Sequence, residues 1–205
     1  MSNFVLRKAR GELLATLPPD LGAAVGNIIV AYATLEHRLT ALTTVLLQLN
    51  NAEARVALRM PRAVERLDMA LDLLAVKKID PGFDETALRN KVEEATSVRD
   101  LVAHGIWVKH PTEPTIFVQR SRGTWPREMM SGERIKRSLF PQALPYGVPE
   151  AMAALSIVQT ALEAANALGG VIDKALESYP HKFHEPLPVM NPLGRRRSKG
   201  KPRQP

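Results

Sequence analysis

The sequence contains no cysteine, few aromatic residues and no long uninterrupted apolar run. Of its 205 residues, 5% are aromatic and 45% are hydrophobic. The absence of cysteine excludes disulfide frameworks, zinc knuckles and thiol nucleophiles. The hydrophobic fraction excludes a wholly disordered chain, and the shortage of aromatic residues beside abundant Leu and Ala favours helices over a β-sandwich.

The sequence also shows no pattern typical of a secretory signal or of a membrane-spanning segment. The N-terminal residues have neither an apolar segment long enough for a secretory signal nor a small-residue cleavage pattern. The most apolar stretches, 28–49 and 151–172, are interrupted by Glu, Arg or Gln at helical spacing. We therefore expect a cytoplasmic protein that does not contact a membrane.

Hydrophobic periodicity predicts an all-α fold, an up-and-down bundle of four to five helices with a short β-hairpin before the last long helix. Asp20 is expected to be the N-cap of a long first helix. A second helical region at 52–76 is interrupted by Pro61. Asp84 is expected to cap a third helix that runs to about residue 103.

The period changes after residue 105. β-Branched and aromatic residues at 106–109 and 115–119 predict the hairpin, and helical spacing returns from 152 to 175. The predicted organisation is an N-terminal arm at 1–19, a single helical domain at 20–180 with the hairpin and a basic loop at 105–147, and a disordered Pro-rich basic tail at 181–205.

The net charge of +7 is concentrated in two segments. Residues 105–147 hold seven basic and three acidic residues, and residues 194–205 hold six basic residues and none that is acidic. Such segments favour a polyanionic partner such as RNA, although a basic tail can also be merely solvated. The candidate nucleic-acid-binding residues, with Trp125 as a base-stacking platform, are Lys109, Arg120, Arg122, Trp125, Arg127, Arg195, Arg196 and Arg197.

The third predicted helix carries the residues with candidate chemistry. Arg99 falls in the middle of its apolar stripe, and a buried guanidinium needs a carboxylate, a carbonyl or a bound anion as partner. His104 comes at the helix C-terminus, where free carbonyl groups attract a cationic imidazolium, and Gly105 is the expected C′ residue. An anion-binding Arg beside a His suits RNA transphosphorylation, in which the His acts as acid or base.

The segment RDLVAH at 99–104 resembles the motif of the HEPN superfamily, in which an Arg and a His are separated by four to six residues. The family is an all-helical bundle with the motif late in its third helix, and the resemblance extends over about residues 20–179. It implies a metal-independent endoribonuclease without cofactor that works as a homodimer, in a toxin or phage-defence system. It further implies that Arg99 and His104 are catalytic and that Asp100 orients them.

Glu36 and Tyr32, one turn apart in the first helix, are candidate supporting residues, with Glu36 as a counter-ion for Arg99. The alternative is that Glu36 pairs locally with Arg38 or faces solvent. The His residues do not show metal-ligand spacing, so no metal site is predicted.

Two other functions remain open from the sequence. The first is a non-catalytic helical module that binds nucleic acid or a partner protein. The second is a regulatory or antitoxin-like subunit. If the protein is instead a toxin, a cognate antitoxin is an expected partner.

Overall fold

The computed structural model describes residues 12–58, 62–110, 112, 114–120 and 144–178. These residues form the elements β1 (Glu12–Leu13), α1 (Pro19–Leu47), α2 (Asn51–Ala57), α3 (Ala63–Val76), α4 (Glu85–His104), β2 (Gly105–Lys109), β3 (Ile116–Arg120), β4 (Leu144–Pro145) and α5 (Val148–Ser178). The predicted helical bundle with a β insertion before the last long helix is confirmed.

Local sequence explains where the helices begin. The carboxylate of Asp84 accepts a hydrogen bond from the backbone N–H of Ala87 at 3.0 Å, so Asp84 caps α4 as predicted. The prediction for Asp20 was wrong by two positions, because Pro18 is the N-cap of α1 and Asp20 lies in the first turn. A proline at the first helical position costs no hydrogen bond, since that N–H has no intrahelical partner.

The core lies between α1 and α5, which pack along each other, with α3 and α4 beside them. The largest fully buried side chains of the helices are Ile28, Leu35, Leu39, Leu46, Leu67, Leu74, Val92, Leu168 and Ile172. Among the described residues, α5 is the one helix with the length and apolar composition of a membrane span. Its buried residues pack against α1 and α4.

A four-stranded antiparallel sheet, in the order β1-β2-β3-β4, follows directly on α4. The predicted hairpin supplies β2 and β3, and the predicted N-terminal arm supplies β1. The two outer strands, each of two residues, were not predicted. Val118 of β3 enters the helical core, and Trp107 of β2 packs edge-on against Tyr146 with ring centroids 5.4 Å apart. The sheet is therefore packed against the C-terminal end of α4.

Most of the predicted basic loop and the whole predicted tail lie outside the described residues. This applies to the candidate nucleic-acid-binding residues Arg122, Trp125, Arg127, Arg195, Arg196 and Arg197.

Candidate functional site at the end of helix α4

Arg99 lies on the buried side of α4 without being buried itself. The apolar stripe of the helix consists of Leu88, Val92, Ala95 and Val102, and all four are buried. The Arg99 side chain, in line with them, keeps 30% of its surface exposed. The prediction of a buried guanidinium was therefore wrong, because a long side chain can bury its stem and still bring its charge to the surface.

Tyr32 of α1 forms the platform beneath Arg99. The guanidinium carbon lies 4.9 Å from the centroid of the Tyr32 ring, which is cation–π geometry. The Tyr32 hydroxyl is 3.1 Å from the hydroxyl of Thr96, which itself donates to the carbonyl of Val92 at 2.7 Å. Because the single hydroxyl proton of Thr96 is already donated to that carbonyl, the Tyr32 hydroxyl is the donor in its hydrogen bond with Thr96. The arrangement fixes the ring on which Arg99 rests.

The environment of Tyr32 also affects its ionisation. Burial, assisted by the negative charge of Glu36, raises the pKa of the Tyr32 phenol above its ordinary value of 10.0. Tyr32 is therefore neutral over the whole physiological range. The sequence pointed to Tyr32 but missed Thr96, which lies one turn before Arg99 on the same helix.

Asp100 is the carboxylate that pairs with Arg99. Its Oδ1 accepts a hydrogen bond from Nη1 of Arg99 at 2.7 Å, and 54% of the Asp100 side chain is exposed. No other side chain of the described residues forms an ion pair with this guanidinium. Asp100 thus occupies one side of the Arg99 fork, while the ring of Tyr32 supports its face.

Glu36 does not pair with Arg99, so that prediction was wrong. Its carboxylate faces Nη1 of Arg66, on α3, at 4.0 Å. The Arg66 side chain is 14% exposed and its Nη2 also donates to the carbonyl of Leu58 at 3.4 Å. Because the Arg66 guanidinium is more deeply buried than that of Arg99, it has the greater need of a counter-charge. Glu36 therefore belongs to the contact between α1 and α3.

His104 is the last residue of α4 and is exposed to solvent. Its position at the helix C-terminus agrees with the prediction. Five residues along an α-helix correspond to a rise of about 7.5 Å and a rotation of about 140° from Arg99. The two side chains therefore leave the helix in different directions. Asp100, four residues before His104, lies on the same face as His104 and, around the helix axis, between Arg99 and His104.

Gly105 joins α4 to β2, but not in the way predicted for a C′ glycine. Its backbone is extended, with φ −69° and ψ 148°, and not left-handed. Glycine is needed because a Cβ atom here would collide with the carbonyl oxygen of Leu101 and with Cγ2 of Val118. The close approach brings β3 against the end of α4.

The register of the hairpin determines how far two of the predicted basic residues, Arg120 and Lys109, lie from His104. Gly105 pairs with Arg120, so the backbone of Arg120 lies beside the end of α4 at His104. Lys109 pairs with Ile116 at the opposite end of β2, about 13 Å along the strand from Gly105. Lys109 is exposed, but the strand carries it away from the Arg99 and His104 positions.

Other parts of the described chain lack comparable chemistry. No group of three His, Asp or Glu side chains there has the geometry to hold a metal ion. A shallow groove of about 440 Å³ lies where α1 and α5 begin, lined by Pro18, Pro145 and Tyr146 among others. Asp20 and Glu150 in this groove already complement the positive ends of the two helices. The groove therefore has no unbalanced positive charge for an anion.

Comparison of the chain with protein-family models, with curated proteins and with solved structures gives no match. Functional interpretation therefore depends on the chemistry of the described residues and on the resemblance of the segment at 99–104. Of the predicted site residues, the fold brings Tyr32, Arg99 and Asp100 into one contact group. His104 lies about one turn after Asp100 on α4. Glu36 faces Arg66 at the contact between α1 and α3.

Proposed function

We propose that the protein is a metal-independent endoribonuclease that cleaves RNA by attack of the 2′-hydroxyl on the adjacent phosphodiester. Arg99 binds the phosphate, and His104 transfers the proton. The homodimer is the proposed active form. The resemblance at 99–104 favours a toxin or phage-defence role.

The observation that carries this proposal is the partly exposed guanidinium of Arg99, which lies over Tyr32 about one and a half turns before an exposed His104 at a helix end. Contact with an aromatic ring limits the freedom of the Arg99 side chain, and 30% of that side chain remains exposed to solvent. The rigid platform lowers the cost of ordering Arg99 when a phosphate binds.

The proposed reaction combines two proton transfers with the exchange of the 5′-oxygen for the 2′-oxygen at phosphorus. The 2′-hydroxyl loses its proton to a neutral imidazole while its oxygen forms a bond to phosphorus. The bond from phosphorus to the 5′-oxygen breaks, and that oxygen takes a proton from a protonated imidazole. The products are a 2′,3′-cyclic phosphate and a free 5′-hydroxyl. Arg99 stabilises the charge that develops on the phosphoryl oxygens in the transition state.

A single His104 cannot accept and donate a proton at the same moment. Two copies of the chain that face each other provide two imidazoles, one as base and one as acid. The rotation of about 140° between Arg99 and His104 on their helix also favours a site shared between copies. A homodimer is thus part of the proposed mechanism.

Cleavage of a mixed-sequence RNA in the presence of EDTA tests the proposal. We expect His104→Ala to slow cleavage by about 10²- to 10⁴-fold, the usual contribution of general acid–base catalysis. His37→Ala is the matched control, because His37 is an exposed His on α1 outside the site. Equal cleavage by wild type and His104→Ala, cleavage by neither, or products that lack a 2′,3′-cyclic phosphate contradict the proposal.

A second candidate function is a non-catalytic module that binds nucleic acid or a partner protein. The ion pair between Arg99 and Asp100 favours it, because a structural Arg needs a counter-ion just as a catalytic one needs a phosphate. RNA that binds with loss of affinity in Arg99→Gln, yet is never cleaved, is the result expected for this module.

A further inference from the structure

Asp100 places a negative charge where a bound phosphate must lie. Its carboxylate accepts from Nη1 of Arg99 at 2.7 Å, and it lies four residues before His104 on the same face of α4. Any anion that binds at this edge of the Arg99 guanidinium therefore meets the Asp100 carboxylate. The pair is exposed enough for exchange, with 30% of Arg99 and 54% of Asp100 open to solvent.

Displacing Asp100 from Arg99 need not disturb the platform. The guanidinium carbon lies over the ring of Tyr32, whose hydroxyl is bonded to Thr96, and neither contact involves Asp100. Ion pairs between exposed side chains are weak, so a phosphate oxygen can replace the carboxylate oxygen at the guanidinium. Asp100 remains next to the phosphate after the exchange, because it is fixed to the helix.

Together, Arg99 and Asp100 have no net charge, and this determines which phosphate they accept. An internal phosphodiester carries one negative charge, whereas a terminal phosphomonoester carries about 1.5 to 2 at neutral pH. The repulsion from Asp100 is therefore about twice as large for the monoester. Arg99 gains more attraction from the monoester, and Asp100 cancels that gain.

We propose that Asp100 is a specificity-determining residue that occupies Arg99 in the free protein and removes the preference for terminal phosphates that Arg99 alone would give, so that the site accepts internal phosphodiesters. This inference rests on the proposed function, since it names the class of substrate for the same site. It concerns binding at Arg99, so it can be tested without cleavage.

The test is a titration of the full chain with two probes, followed by NMR or fluorescence. One probe is a 2′-O-methyl dinucleotide, which has a single phosphodiester and cannot be cleaved. The other is a nucleoside 5′-monophosphate, which has a single phosphomonoester. The variants are Asp100→Asn, Arg99→Gln and Glu94→Gln; the last removes one negative charge from an exposed position on another face of α4.

We expect Asp100→Asn to tighten diester binding about threefold and monoester binding about tenfold, the effect of removing one charge about 6 Å from one or two others in a water-like dielectric. Glu94→Gln should change both affinities less than about twofold, because exposed distant charges are screened. Arg99→Gln should weaken both probes.

Three results overturn the inference. Weaker binding by Asp100→Asn shows that the carboxylate orients Arg99 and does not compete with phosphate. Equal changes for the two probes, or changes no larger than those of Glu94→Gln, show that it has no selective effect. Absence of binding to wild type and Asp100→Asn alike shows that Arg99 is not a phosphate site. A failure of the His104 cleavage test leaves these binding results unchanged, so the two proposals fail separately.

Discussion

At the scale of single residues, two buried tyrosines differ in how their hydroxyl groups are satisfied. Tyr32 is 3% exposed and donates to Thr96, whereas Tyr146 is 7% exposed and its hydroxyl bonds no other group of the described structure. A buried hydroxyl with a partner stabilises the fold, and one without a partner lowers the stability. The two residues therefore give a matched comparison for the Arg99 platform.

We expect Tyr32→Phe to lower the free energy of unfolding by about 1 kcal/mol, because the hydrogen bond to Thr96 is lost while the ring stays in place. Tyr146→Phe should leave stability unchanged or raise it, because it removes a buried polar atom without a partner. Urea unfolding of both variants at neutral pH measures the difference. A larger loss for Tyr146→Phe than for Tyr32→Phe contradicts this assignment.

The same tyrosines predict instability at alkaline pH. Burial raises the pKa of the Tyr32 and Tyr146 phenols above 10.0, so the folded state holds their protons more tightly than the unfolded state does. Their contribution to stability is complete below the unfolded value of 10.0 and is lost as the pH rises through the folded values. Unfolding measured between neutral pH and above pH 10.0 should therefore show a steeper decline for wild type than for Tyr32→Phe. Parallel declines would show that Tyr32 does not contribute.

At the scale of elements, the predictions that held are those that depend on neighbouring residues. Asp84 caps α4 because its carboxylate reaches a backbone N–H only three residues away. The hairpin follows from the β-branched and aromatic residues of 106–109 and 115–119. Such patterns operate within a few residues and can be recognised before the tertiary fold is known.

Features that depend on how distant elements pack were predicted wrongly or could not be predicted from the sequence. The sequence predicts Arg99 as the partner of Glu36, whereas the packing of α3 against α1 selects Arg66. The contact between Tyr32 and Thr96 joins residues 64 positions apart in the sequence. Strands β1 and β4 have two residues each, too few to show periodicity.

The junction between α4 and β2 depends on Gly105. We expect Gly105→Ala to lower the free energy of unfolding by about 1 to 3 kcal/mol, because its Cβ atom would overlap the Leu101 carbonyl and the Val118 side chain. Gly170→Ala on α5 is the control. Among the described residues, no atom outside the adjacent backbone of its own helix lies within 4 Å of the Cβ position, and alanine favours a helix over glycine by about 1 kcal/mol.

Thermal or urea unfolding of the two glycine variants should therefore give changes of opposite sign. The Gly105→Ala result also bears on the site, because a displaced β3 would move the backbone of Arg120 away from His104. Equal stability of Gly105→Ala and wild type would mean that the helix end and β3 are less closely packed than the structure shows.

At the scale of the whole molecule, the proposed ribonuclease needs residues from two copies. Within one chain, Arg99 and His104 leave α4 about 140° apart, and each chain has one His104 for two proton transfers. Because the proposed reaction uses both imidazoles of the dimer, one as base and one as acid, a dimer that has lost one His104 should be inactive. Wild type mixed with His104→Ala tests this requirement.

Wild type unfolded and refolded together with an equal amount of His104→Ala should cleave RNA about half as fast as the same amount of wild type refolded alone. The reason is that the number of dimers doubles while only about a quarter of them keep both His104 side chains. Wild type refolded with an equal amount of His37→Ala is the control, and its cleavage should not fall below that of wild type alone. If wild type and His104→Ala form mixed dimers by mass spectrometry but cleavage is not reduced, one His104 is sufficient for each site and the two-imidazole mechanism is wrong.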